Sequence, residues 1–442
     1  MYRIFRDCTQ LDFENGARTN LPDTSGCSDW REAFYNCQSL SGQYPNFDHS
    51  GATQITNAWY GCSGITSFSS SLNDLNTGSS YVLNYSYAWR FCTGITDFPA
   101  ITIPNDQGAV SLFGAWEGCT GLTSFPNSID TSAVTNFQQA WYNCSGITAF
   151  STINTAAGTN FYRTWANCTG LTSFSLSNFS SATTLRNAFS GWTGFTGTFP
   201  AITTSASLLS LEAAWAGNKM TGFTIPSNTT NVTTFDGAWQ YCTGLTGTFA
   251  SIFSSLDTSS ATVLSRAWRQ CTGLTGEFPL LDTSNVEYFY QAWYECSGLS
   301  GTFPSIDTSE GFGFGYAWGG TAISAFPALS FPKATSFERA WKDCASLTTF
   351  PANVFDTWAG TPVNRCLYLA WDGCTSLTPA SVVNILDSIA ASGQSAPSGT
   401  GTGDKEITID WDGTGDPATD AAAAITTLKS RNWIVILNGV TQ

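Results

Sequence analysis

The sequence predicts an α/β repeat: a curved solenoid of about fourteen strand–turn–short-helix units that share a parallel sheet, with a cap at each end. Three observations predict it. An Ala-Trp or Ala-Phe pair recurs, its aromatic residue falling at Phe34, Trp59, Trp89, Trp116, Trp141, Trp165, Phe189, Trp215, Trp239, Trp268, Trp293, Trp318, Trp341 and Trp371. These markers stand 23 to 30 residues apart, and in the sixth copy Thr164 replaces the Ala. A cysteine follows the marker by three in eleven copies, at Cys37, Cys62, Cys92, Cys119, Cys144, Cys168, Cys242, Cys271, Cys296, Cys344 and Cys374. A Thr- and Phe-rich stretch closes most copies. A unit this short cannot bury its own apolar side, so it must stack on neighbours.

Each element follows from local chemistry. Asp130 to Ser132 supply side chains that cap helix starts. Val134, Phe137, Ala140, Trp141 and Cys144 then fall at helix-like spacings, which predicts a short helix. Gly121, Gly146, Gly170, Gly244, Gly273 and Gly298 stand where a left-handed helix cap is wanted. The following "ITAF", "LTSFP" or "LTGTFP" reads as one strand. Strands pair about 4.8 Å apart and helices about 8–10 Å apart, so the helical side should fan out and bend the stack. The sheet would then show rows of hydroxyls, such as Thr123 and Ser124, Thr148, Thr172 and Ser173, Thr246 and Thr248, and Thr348 and Thr349.

The ends depart from the repeat. Residues 1–30 are the most densely charged stretch and read as an amino-terminal cap; the solenoid spans 31–378. Residues 379–442 form a small α/β unit: a helix in "PASVVNILDSIAASG", a polar link, a strand in "KEITIDWDG", a helix opening at Asp416 or Pro417, and a strand in "NWIVILNG". That unit caps the open sheet edge or attaches the array to something else.

"LTSFPNSIDTSAVTNFQQAWYNCSGIT" resembles the BspA-type leucine-rich repeat, whose units carry a strand, an Asp-Thr-Ser turn and an aromatic residue three before a Cys. The resemblance runs from about Phe34 to Leu377, and departs in having Ala-Trp where that family has Met-Phe. It implies a leucine-rich-repeat fold and relatives that serve as adhesive proteins on bacterial surfaces or in tailed-phage virions. Shape defines this family, so no activity transfers with it.

Composition excludes several functions. The chain has 442 residues, with 17 basic against 32 acidic and a net charge of −15, which argues against nucleic acid and anionic lipid as partners. No apolar run reaches membrane-spanning length, and "MYRIFRDCTQLDFENG" lacks a secretory layout. The marker Trp residues read as core rather than as sugar-stacking platforms, because Phe replaces them at 34 and 189. The ladder cysteines read as buried, reduced thiols about 9 Å apart, too far to bridge. Cys8, Cys27 and Cys366 fall outside the ladder, and a Cys8–Cys27 bridge stays open; Trp192, Asn218 and Thr321 take the ladder position in the copies of Phe189, Trp215 and Trp318. His49 is the only histidine and sits in no motif. No catalytic, cofactor-binding or metal residue is assigned, no cofactor is expected, and the ligand-binding residues are unknown.

These readings converge on a non-enzymatic structural or adhesive protein, most concretely a phage virion component such as a fibre, a receptor-binding protein or a capsid appendage. Its partners would be virion or surface assembly subunits and a host-surface glycan or protein, with homo-oligomerisation open, no nucleic acid and no membrane insertion. The expected location is the virion surface. A bacterial cell-surface adhesin is the alternative, a glycan-cleaving enzyme a further one, and ice binding by flat Thr rows a fourth.

Overall fold

The computed structural model describes residues 1–11, 23–68, 72, 75, 82–103, 108–126, 129–150 and 153–442. They form two compact units, Met1–Asn228 and Thr229–Gln442. Each is a parallel β-solenoid with little helix. In the first, strands Ala149–Phe150 and Ser173–Phe174 pair in parallel, with Phe150 opposite Phe174. A second ladder joins Asn136, Asn160, Thr184 and Ser210. In the second, Gly247–Thr248 pairs with Leu274–Thr275, and a ladder runs through Thr234, Val263, Tyr288, Gly313 and Ser336.

The expected short helix around each marker is absent. In its place stand successive four-residue turns, seen in the copy of Trp141 as Ala140 N–H to Phe137 C=O (3.0 Å), Tyr142 to Gln139 (3.1 Å) and Cys144 to Trp141 (3.2 Å). Gln139 and Asn143, two residues either side of Trp141, take φ of 54° and 61°. A positive φ at the third residue is what type II turns require, and it breaks an α-helix. The remaining N–H groups reach the next rung: Gln139 to Tyr162 C=O, Trp141 to Thr164 C=O and Asn143 to Ala166 C=O, each 2.9 Å. Rungs on this side are therefore held by backbone hydrogen bonds, as strands are, and the helices that would have splayed them are missing.

The "DTS" segments are likewise turns rather than helix caps. Asp130 Oδ1 accepts from Ser132 N–H at 2.8 Å, the Asx turn that short polar side chains favour. Asp257, Asp282 and Asp307 repeat it with Ser259, Ser284 and Ser309. The Thr between them is buried and staples the next rung, as in Thr131 Oγ1 to Asn154 C=O (2.7 Å) and Thr258 Oγ1 to Asp282 C=O (2.7 Å).

The marker column is the core. Trp141 is fully buried; its ring lies 5.5 Å from Trp116 and 5.9 Å from Trp165, nearly parallel at 2° and 5°. Phe125 and Phe150 meet it edge-on at 4.9 and 5.0 Å, the arrangement that ring quadrupoles prefer. The second unit repeats the column, with Trp268 on Trp293 at 5.9 Å and Trp341 on Trp371 at 5.0 Å.

The glycines at the expected left-handed caps serve another purpose. None of the six has positive φ. A Cβ on Gly146 would lie 2.4 Å from the Thr120 carbonyl oxygen and 2.8 Å from that of Leu122, so a hydrogen is all that the rung beneath tolerates. Gly146→Ala is expected to cost about 1–3 kcal/mol by overpacking against backbone that cannot move aside. Urea unfolding beside wild type checks this.

The amino-terminal end differs from the sequence reading, while the carboxy-terminal end keeps the expected order of helix, strand, helix and strand, its second helix split into Pro417–Asp420 and Ala422–Ser430. Within residues 1–30, Phe5 begins a further rung: Phe5 N–H donates to Ala33 C=O at 2.9 Å, Arg3 and Asp7 have φ of 53° and 56°, and Phe5 stacks on Phe34 at 5.2 Å. The count of fourteen missed it because Ile4, not Ala, precedes the aromatic. Cys8, three after Phe5, thus belongs to the ladder position, and neither it nor Cys27 is bridged. At the other end Thr378 caps the helix Pro379–Ala391 by accepting from Ser381 N–H. Strand Glu406–Ile409 pairs in parallel with Ile434–Leu437, which pairs antiparallel with Val440–Thr441. Ile409 bridges to Trp371, so the carboxy-terminal unit continues the turn-side ladder of the last rung.

Candidate binding surfaces

The cysteine ladder has a definite chemical role. Ten of the thiols reach the carbonyl of the preceding marker, among them Cys62 to Phe34 (2.9 Å), Cys92 to Trp59 (3.0 Å), Cys144 to Trp116 (3.0 Å), Cys271 to Trp239 (3.0 Å) and Cys374 to Trp341 (3.0 Å). Two of the three replacements donate to the same target, Trp192 Nε1 to Trp165 C=O at 2.8 Å and Asn218 Nδ2 to Phe189 C=O at 3.4 Å. Thr321 Oγ1 instead turns to its own rung's Trp318 C=O at 2.7 Å. What the position requires is a buried donor, which explains why Cys outnumbers Ala there. Burial pushes the Cys92, Cys168 and Cys296 thiols up to about 12, so they stay protonated and donate. With rungs at strand spacing, neighbouring ladder cysteines stand about 4.8 Å apart rather than 9 Å; all fourteen are nonetheless free. Cys144→Val should cost about 1–2 kcal/mol more than Cys144→Ser, which keeps a donor. Thermal unfolding of the two variants tests the difference.

Other residues weighed from the sequence sit inside. His49 is buried against Trp30, Tyr44 and Trp59, with ring centroids 4.4, 6.0 and 5.6 Å away. The marker Trp residues face one another, not solvent. Among the described residues no three His, Cys, Asp or Glu side chains converge as metal ligands.

Two surfaces remain. On the strand side, Thr123, Ser124, Thr148, Thr172, Ser173, Thr246, Thr248, Thr348 and Thr349 are exposed, as their alternation with buried Leu, Ile and Phe predicts. Their hydroxyls bind backward along the stack: Thr123 Oγ1 to Thr96 C=O at 3.1 Å, Thr172 to Thr148 at 3.2 Å and Thr348 to Ser324 at 2.9 Å. This side carries methyls and hydroxyls, and those of Thr123, Thr148, Thr172 and Thr348 already give their hydrogens to the preceding rung.

The turn side differs. It bears most of the arginines, many of them laid over tyrosine or phenylalanine faces. Arg90 covers Tyr60, Tyr87 and Phe91 at 5.6, 4.9 and 4.6 Å. Arg163 covers Tyr142 and Tyr162, Arg269 covers Tyr241 and Tyr294, and Arg339 covers Tyr316 and Tyr368. Carboxylates pair across rungs, with Arg90 2.7 Å from Glu117 and Arg266 2.7 Å from Asp236. Burial raises the Glu117 carboxyl, and Arg90 opposes that shift. Tyr241, Tyr288 and Tyr290 stay 38 to 46% exposed, leaving rigid amphipathic rings for a partner. The sequence held the signal for this face: residues two before and one after the marker are repeatedly Tyr, Arg or Gln.

A family model described as "Mycoplasma protein of unknown function, DUF285" matches residues 210–314. That is less than a quarter of the chain. No curated protein matches it. No helix among the described residues is long and apolar enough to cross a membrane.

Proposed function

We propose that this protein is a non-enzymatic structural scaffold that displays adhesive rows on a repeat frame, and that it works as a phage virion component, a fibre, receptor-binding protein or capsid appendage. Its units are read as BspA-type leucine-rich repeats in which turns replace the helix. The observation that carries the reading is the turn side, where Arg–Tyr contacts and cross-rung ion pairs recur in both units instead of one distinctive cluster. Such a face suits large or repetitive partners, a host glycan or protein among them.

A second reading, a bacterial cell-surface adhesin, is favoured by the match to a family described from Mycoplasma. Immunogold labelling of virions and of cells from the source culture separates the two. Label on particles supports the virion role, and label on cells alone transfers the protein to the cell surface. Release of reducing sugars from glycans by the purified chain would overturn both in favour of an enzyme.

A further inference from the structure

We infer that the carboxy-terminal part of the chain carries a binding site for a neutral sugar ring, in the cleft where strand Glu406–Ile409 meets the last rung. The cleft measures about 460 Å³ and is lined by Asp372, Thr375, Thr408, Asp410, Trp411 and Asn438, with Gly439 at its rim. This deepens the adhesive reading by naming a ligand class and an address, and rests on that reading only for its use at a surface.

Trp411 is the one tryptophan after the last marker that stays half-exposed, and its ring is held in place. Its indole N–H donates to Thr414 C=O at 3.0 Å, and its backbone N–H donates to Asn438 Oδ1 at 3.0 Å. The turn that holds Thr414 is closed by Asp412 Oδ1, which accepts from Thr414 N–H at 2.8 Å. A ring fixed before the ligand arrives loses little freedom on binding, and an aromatic face offers the C–H side of a pyranose an apolar platform.

The polar groups around it suit hydroxyl donors. Asp410 Oδ2 accepts from Gly373 N–H at 2.9 Å, and Asp372 Oδ2 holds Lys342 Nζ; each carboxylate thus has its second oxygen for a ligand. Thr408 is only 6% exposed, and its hydroxyl has no partner. A buried hydroxyl left without a bond is costly, so a floor group of this kind fits a site completed by its ligand. Two carboxylates line the cleft and only Asp372 is paired with an ammonium, so the charge left over disfavours an acidic sugar while the oxygens accept from a neutral one.

Saturation-transfer NMR on the full chain tests this with methyl α-glucoside, methyl α-mannoside, methyl β-galactoside and N-acetylglucosamine as probes, and glucuronate as the acidic counter-probe. Transfer to the ring protons of at least one neutral sugar at millimolar concentration is expected, with none to glucuronate. Trp411→Ala and Asp410→Asn should each weaken binding at least tenfold, while Trp411→Phe keeps most of it and the thermal transition of all three stays near wild type. Silence from every neutral probe, binding that survives Trp411→Ala, or a strict need for added calcium would overturn the site. Adhesion of the Trp411→Ala chain to cells or particles at wild-type strength would sink this site while leaving the adhesive reading standing.

Discussion

Raising the pH from 9 to 11 is expected to unfold the protein steeply, and the buried thiols are the cause. Burial lifts Cys92, Cys168 and Cys296 from about 9 to about 12, and Cys344 to about 11. In the unfolded chain the same thiols lose their protons near pH 8.5–9. Between those limits the unfolded state binds fewer protons than the folded one, so stability falls as pH rises; below pH 9 it is fully present. Each such thiol contributes a slope of about 1.4 kcal/mol per pH unit. Two of them lie in each compact unit and give it about 3 kcal/mol per pH unit, a large share of an ordinary domain's stability of about 5–15 kcal/mol. Tryptophan fluorescence followed through an alkaline titration reads the transition. A variant with these four cysteines changed to Ser should shift it upward and flatten it. Equal slopes in the two proteins would remove the thiols from the explanation.

Trp141→Ala should be the most damaging single change, costing about 3–5 kcal/mol, because it opens a cavity between rings that cannot close on it. The residue is fully buried, stacked between Trp116 and Trp165 and flanked edge-on by Phe125 and Phe150. Trp141→Phe should cost far less, about 1 kcal/mol, for two reasons. Phe189 already holds the same column position between Trp165 and Trp215, at 5.7 and 5.8 Å. The indole N–H of Trp141 is also buried without a partner, an expense that Phe does not carry. Because each rung leans on its neighbours, the loss should divide or broaden the denaturant transition of the first unit rather than shift it uniformly. A uniform shift below about 1 kcal/mol would show that the column is not what binds rung to rung.

The solenoid, the buried markers and the buried cysteine ladder were legible in the sequence because a period needs no structural theory to be seen. The helices were misread for a nameable reason. Trp141, Cys144, Ile147 and Phe150 are spaced by three without drift, whereas a helix of period 3.6 alternates three with four. A strict three fits turns that each close on the third residue before, as the bonds from Cys144 to Trp141 and from Ile147 to Cys144 do. A second clue lay two residues after the marker, where Gly61, Gly118, Asn143, Asn167, Gly191 and Gly217 supply the residue types that accept positive φ. The donor role of the ladder was hidden because Cys passes for a small hydrophobe, although Trp192, Asn218 and Thr321 share nothing with it except a hydrogen to give. The cleft around Trp411 could not be read at all. Its residues come from three separate stretches, and only the pairing of Ile409 with Trp371 and of Leu437 with Ile409 brings them together.

The hydrogen bonds between rungs do not all run one way. On the turn side Trp116 N–H gives to Ala140 C=O in the following rung, while on the strand side Thr148 N–H gives back to Thr123 C=O in the preceding one. The backward bonds therefore cancel part of the dipole that the forward ones build, unlike those of a long helix, where every unit adds to the charge at the tips. Lengthening such a pile by further storeys builds up less voltage between its ends than the same growth of a helix would.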